Sequence, residues 1–197
     1  SSKVVCMIGR LTPVEGSELL SGRSHSIEIM GIGHQKSRGI KAGVISDMDA
    51  VENSVRLAVD AAERMAGVTV ESLIVNVTAG RLNSETHSAS VNLGGHEIAS
   101  GDLAKVVNAA TRQSQLNERA ILHSLPSSYT LDGERGIRDP AGMYGDLLGV
   151  DMHVLTADRA PLKNLEISIN RAHLTVEAMV ATPYASGLAA LVSDEAE

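Results

Sequence analysis

The chain has 197 residues, 43% hydrophobic and 21% charged, which suits one large domain or two small ones with a buried core. A formal net charge of -7, no dense Lys/Arg run and only 2% aromatic residues exclude the electrostatic and stacking footprint of a nucleic-acid binder. The single cysteine, Cys6, excludes an internal disulfide and fits a reducing cytosol, no apolar run approaches the roughly 20 residues of a membrane-spanning helix, and the N-terminus lacks the order of a signal peptide.

With no Phe and no Trp, the core must be packed from Val, Ile, Leu, Ala and Met. Lys3 to Gly9 reads as a strand in which Cys6 is a small buried hydrophobe, Thr12 to Arg23 as a Gly-, Ser- and Glu-rich surface loop, and His25 to Gly33 as a second strand. Gly39 and Gly43 then permit the positive φ of tight turns, and Ser46 or Asp47 can cap a helix. That helix carries Val51, Val55, Ala58, Val59, Ala62, Met65 and Ala66 on one face and ends at Gly67, so it lies on a sheet. Leu73 to Thr78 is a third strand; its continuous apolar run, like that of the first, predicts a sheet covered on both faces.

Near Gly80 the character changes to polar and Ser/Asn/Thr-rich, with weak alternation through Thr86, Ser88, Ser90 and Asn92. Ser100 is placed to cap a helix with Leu103, Val106, Val107 and Ala110 on one face; Ala120 to Leu125 and Leu147 to Thr156 follow as strands. Thr156 or Asp158 caps the next helix, with Pro161 near its start and Leu162, Leu165, Ile169 and Ala172 as its stripe. Leu174 to Ala181 is a strand, Ala185 to Val192 a short helix, and the acidic end Ser193 to Glu197 a frayed exit.

Several segments, in this order, carry a resemblance over nearly the whole chain. They are Ser1-Ser2-Lys3-Val4-Val5, Ser37-Arg38-Gly39-Ile40 with Gly43 to Asp47, Arg119 to Pro126 running on to Tyr129, and Gly136 to Met143. Together they resemble the FtsA family of bacterial actin-like cell-division proteins. The resemblance implies an α/β fold: half of an actin-like (ribonuclease H-like) domain, residues 1–80 and 155–197, called subdomain 1A and incomplete here. An inserted strand-helix-strand-strand subdomain, 1C, would occupy residues 81–154. Ser1, Ser2 and Lys3 would be the remnant of the first phosphate loop, whose Asp-Ile-Gly falls just before Ser1. A second phosphate loop would follow Glu197.

For the full-length parent the resemblance implies ATP and Mg²⁺ binding, polymerisation at the cytoplasmic face of the inner membrane, and tethering of FtsZ through a part absent here. Membrane attachment would use a C-terminal amphipathic helix, also absent. The inserted subdomain would serve self-association and contacts with FtsN and later division proteins.

The residues themselves offer surfaces rather than a catalytic centre. Asp102, Lys105, Asn108, Arg112 and Gln113 lie off the apolar stripe of the helix from Asp102 to Ser114, and the Gly133-Glu134-Arg135-Gly136 loop carries charge on a permissive backbone. Lys36 stands where a dinucleotide fingerprint beginning at Gly31 needs its third glycine; the seven histidines contain no pair at helical ligand spacing; no Gly-x-Ser-x-Gly elbow appears. No metal site and no bound cofactor are expected in this chain. Two rival readings stand beside the division scaffold: an actin-like adaptor of pilus assembly, and a small-molecule hydrolase on an α/β scaffold. Because at most one edge of a nucleotide clamp is present, purified chain mixed with Mg²⁺ and ATP is expected to release no phosphate above a protein-free blank in a continuous phosphate assay.

Overall fold

The computed structural model describes residues 2–14, 25–113 and 119–191. In chain order the elements are β1 Lys3–Pro13, β2 His25–Lys36, β3 Ile40–Lys41, β4 Val44–Ile45, α1 Met48–Ala66, β5 Ser72–Val77, β6 Asn83–Glu97, α2 Ser100–Gln113, β7 Arg119–Leu131, β8 Glu134–Ile137, β9 Tyr144–Asp158, α3 Arg159–Arg171, β10 Thr175–Ala181 and α4 Thr182–Ala190. They form two compact units, one of residues 1–80 and 160–197, the other of residues 81–159. The second unit runs past Val154 because β9 continues unbroken to Asp158.

In the first unit β1 and β2 form an antiparallel hairpin, and β5 and β10 a parallel pair. The turns after β2 follow from residue type. Gly39 and Gly43 have φ of 77° and 79°; Gly39 precedes β3, and Gly43 lies in the turn that joins β3 to β4 in a minute hairpin. Asp47 is the N-cap of α1, its Oδ1 accepting from the Ala50 N–H at 3.1 Å, while Gly67 ends the helix with φ 69°. Val51, Val55 and Val59 of α1 bury against Ile169, Ala172 and Leu174, with Val4 and Cys6 of β1 and Leu73 and Val75 of β5 packed alongside. Burial, and then the Glu63 carboxylate, push the Cys6 thiol pKa up, so the sulfur behaves as an apolar atom.

What brings α1 onto the hairpin is glycine. A Cβ on Gly33 would lie 1.7 Å from the Ala58 carbonyl oxygen, and one on Gly31 would lie 2.2 Å from that of Ala62. Neither distance is tolerable, so both positions exclude every side chain.

Three expectations are corrected here. The stretch beginning at Thr12 opens as strand, since β1 extends to Pro13 opposite His25; residues 15–24, with Leu19 and Leu20, lie outside the described residues, as does the acidic end. The sheet is not covered on both faces: Val5, Met7 and Ile32 are 39%, 64% and 45% exposed because α1 covers one face of the β1-β2 hairpin only, and Ile74 of β5 is 69% exposed. Nor do the two strand pairs join into one sheet. A cavity of about 610 Å³ separates them, lined by consecutive residues from Lys3 to Gly9 and from Ser72 to Thr78, so both strands meet it along their edges.

The second unit is a four-stranded sheet of order β6-β9-β7-β8 with α2 packed on β6 and β9. Leu148, Val150, Met152 and Val154, alternate residues of the central strand β9, are at most 2% exposed and pack with Leu93, Ile98, Val106, Ala110 and Leu131. Each such burial stabilises by about 1.5–3 kcal/mol before its entropic cost. The unit thus owns a complete apolar core. Among the described residues, no helix is long and apolar enough to cross a membrane.

Gly33→Ala should lower the unfolding free energy by about 1–3 kcal/mol or more in urea titrations, since the alanine must push α1 off β2. Gly101→Ala, where nothing lies within 4 Å of the added carbon, should be neutral or slightly stabilising in the same titration.

Candidate functional site

The exposed surface of the second unit is built from α2, the β7-β8 hairpin and the open face of the sheet. Helix α2 begins with Ala99 in the N-cap position, its carbonyl accepting from Leu103 N–H at 3.3 Å, one residue earlier than the expected Ser100 cap. Asp102 reaches back to accept from the Ala99 N–H at 3.2 Å, and also from His96 Nε2 at 3.0 Å and Lys105 Nζ at 3.0 Å. This carboxylate is 6% exposed, so Asp102 does not lie on the solvated face with its neighbours; it fastens the helix start to the end of β6. The apolar residues Leu103, Val106 and Ala110 turn the same side inward, which the helical wheel alone could not resolve for a residue in the first turn.

With Asp102 withdrawn, Lys105, Asn108 and Arg112 remain as an exposed stripe at helical spacing, with Gln113 beside it. The stripe is polar and basic. On its other side the helix is fixed by Thr111, whose hydroxyl donates to the Val107 carbonyl at 2.9 Å and lies 3.0 Å from Ser124 Oγ of β7.

Glu134 and Arg135 are exposed but are not in a loop. They form the edge strand β8, joined to β7 by the two-residue turn Asp132-Gly133, with φ of 50° and 92°. Positive φ at both positions is the turn whose twist matches antiparallel strands, and Asp-Gly is its sequence signal. Asp132 also accepts from the Asp146 and Leu147 N–H groups, at 3.0 and 2.8 Å, which ties the hairpin to the start of β9. The outermost strand therefore presents an acid and a base on a rigid edge.

The open sheet face was not anticipated as a surface. Ser88 donates to the Asp151 carboxylate, Ser127 Oγ to the Asp151 carbonyl at 2.9 Å, and Ser84 Oγ lies 3.2 Å from His153 Nε2. The signal was the period-two run of hydroxyls in β6. Among the described residues no group of His, Cys, Asp and Glu can hold a metal.

At the opposite end of the sequence, Ser1 lies outside the described residues, Ser2 is exposed with its carbonyl accepting from Ser37 N–H at 3.1 Å, and Lys3 opens β1 opposite Lys36. Ser2 and Lys3 belong to the first compact unit, whereas α2 and β8 belong to the second.

Residues 79–156 match the family model described as the SHS2 domain inserted in FtsA. The whole chain is 69% identical to the cell division protein FtsA of Agrobacterium fabrum (strain C58) and 70% identical to that of Rhizobium meliloti (strain 1021), over 197 residues in each case. The chain spans 44% and 45% of the length of these two relatives. A solved structure of a PilM-PilN type IV pilus biogenesis complex superposes with a TM-score of 0.56 at 11% identity, covering 95% of this chain and 46% of that one; the likeness is one of fold. The fold is accordingly α/β and actin-like, interrupted by an inserted domain.

The Asp102 cluster makes stability pH-dependent in two directions. Hydrogen bonds from His96 and Lys105 hold the Asp102 carboxyl well below the usual carboxylate range, so its stabilisation is present above roughly pH 4 and fades as pH falls through its folded pKa. The bond to Asp102 raises the His96 pKa, so that contribution is present below roughly pH 6.5 and is lost as pH rises through the folded value. The difference in Tm between the native chain and Asp102→Asn should therefore be widest between roughly pH 4 and 6.5 and narrower at pH 9, measured by thermal melts across that range.

Proposed function

This chain belongs to the FtsA family, and from that premise we propose that it is part of a cell-division scaffold that works by docking other proteins rather than by catalysis. The first unit is read as the incomplete actin-like subdomain 1A and the second as the inserted subdomain 1C. The observation that carries the reading is that residues 81–159 have their own apolar core yet present the Lys105-Asn108-Arg112 stripe and the Glu134-Arg135 edge outward, on a helix fastened by the half-buried bonds to Asp102 and a strand whose turn is fastened by the bonds to Asp132. Charged side chains on elements that are already fixed suit a specific contact, because little backbone freedom is lost on binding.

In the full-length protein this unit would contact FtsN and later division proteins and take part in self-association. FtsZ tethering, ATP and Mg²⁺ binding across a completed clamp, polymerisation, and attachment to the cytoplasmic face of the inner membrane would depend on parts outside these 197 residues. Ser1, Ser2 and Lys3 would border the phosphates there; in this chain Ser2 precedes β1 and Lys3 opens it.

Lys105→Glu combined with Arg112→Glu, introduced into the full-length relative, should weaken binding of the FtsN cytoplasmic segment about tenfold or more in a titration by fluorescence anisotropy, while co-sedimentation with FtsZ stays at the native level. Unchanged FtsN affinity would overturn the assignment of the α2 stripe. Glu134→Arg with Arg135→Glu tests the β8 edge in the same assay.

A further inference from the structure

We propose that Arg119 is a latch: one guanidinium that pins together the two places where the chain passes into and out of the 81–159 unit. The unit is bounded at Gly80/Arg81 and Arg159/Ala160. Arg119 lies far from both in sequence, at the start of β7, yet its Nη2 donates to the Arg81 carbonyl at 2.6 Å and to the Thr156 carbonyl at 3.1 Å, its Nε to Thr156 Oγ1 at 2.8 Å, and its Nη1 to the Asp158 carboxylate at 2.5 Å. The Arg119 carbonyl in turn accepts from Arg159 Nε at 2.9 Å. Every member of this cluster lies within three residues of a boundary except Arg119 itself.

The chemistry requires arginine. Four acceptors, three on β9 and one on the segment leading into β6, surround the side chain, which is 19% exposed, and only a planar fork with donors on three nitrogens meets them together; the lysine ammonium is a single point. Asp158 balances the charge, and Thr156, 1% exposed, would keep an unsatisfied hydroxyl acceptor without it. The ingoing segment turns with φ of 83° at Gly80 and 49° at Arg81, placing the Arg81 carbonyl at the guanidinium. Arg119 therefore adds a side-chain clamp to the base that the β6-β9 ladder joins at Asn83 and Thr156. It is a positioning residue for the docking surfaces of the unit although it forms none of them.

The test is amide hydrogen exchange on the 197-residue chain and its Arg119→Lys, Arg119→Ala and Thr156→Val variants. Both Arg119 variants should speed exchange across Asn83–Glu85 and Thr156–Asp158 by about tenfold or more, the loss expected when hydrogen bonds to a charged donor go, and leave Leu148–Met152 unchanged. Thr156→Val, which removes one acceptor and keeps the branched carbon, should give a smaller acceleration at the same amides. The proposal is overturned if lysine restores native exchange, if the acceleration spreads equally to Leu148–Met152, or if Thr156→Val leaves the base unchanged.

Discussion

Without Phe or Trp, this protein cannot fill its interior with large rings, and backbones must come close to each other instead. The contact between α1 and β2 shows the consequence. The carbonyl oxygens of Ala58 and Ala62 occupy the space where Gly31 and Gly33 would carry a Cβ, and the Val51-Val55-Val59 face is then near enough to reach Ile169 and Leu174. Had either glycine been larger, the helix would stand off and the small branched side chains would leave a void they are too short to fill. The rest of the first unit is arranged around that approach.

The two units resolve the same shortage differently. In the first, apolar surface remains open on the outer side of β1 and β2 and along the cavity edges of β1 and β5, and burial there is partial. In the second, β9 threads the middle of the sheet and contributes Leu148, Val150, Met152 and Val154 to one continuous core, leaving its outer face to hydroxyls, Asp151 and His153. A unit with a closed core can present charged helices and edge strands outward on a fixed frame, which is what a surface that meets specific partners requires.

Much of this was legible in the chain. The Asp47 cap, the left-handed Gly39, Gly43 and Gly67, the amphipathic α1 and α2, and the position of β10 follow from local residue preferences and from the periods of helix and strand. The misplacements share a cause. Asp102 reads as surface because its partners, His96 and the Ala99 amide, are brought to it by the turn after β6; Glu134 and Arg135 read as loop because β8 is strand only through pairing with β7. Local pattern does not report a partner supplied from elsewhere in the chain.

The sequence by itself determined the helices and most of the strands, since each is encoded in periodicity and residue preference along a single stretch, and its matching segments carried the family resemblance. Tertiary structure alone decided which strands pair, that β1 and β5 stay apart across a cavity, that a carboxylate in the first turn of α2 is buried, and that Arg119 meets Arg81 and Asp158. Those are contacts between residues distant in sequence, fixed by how the cores pack, and no property of either residue in isolation specifies them.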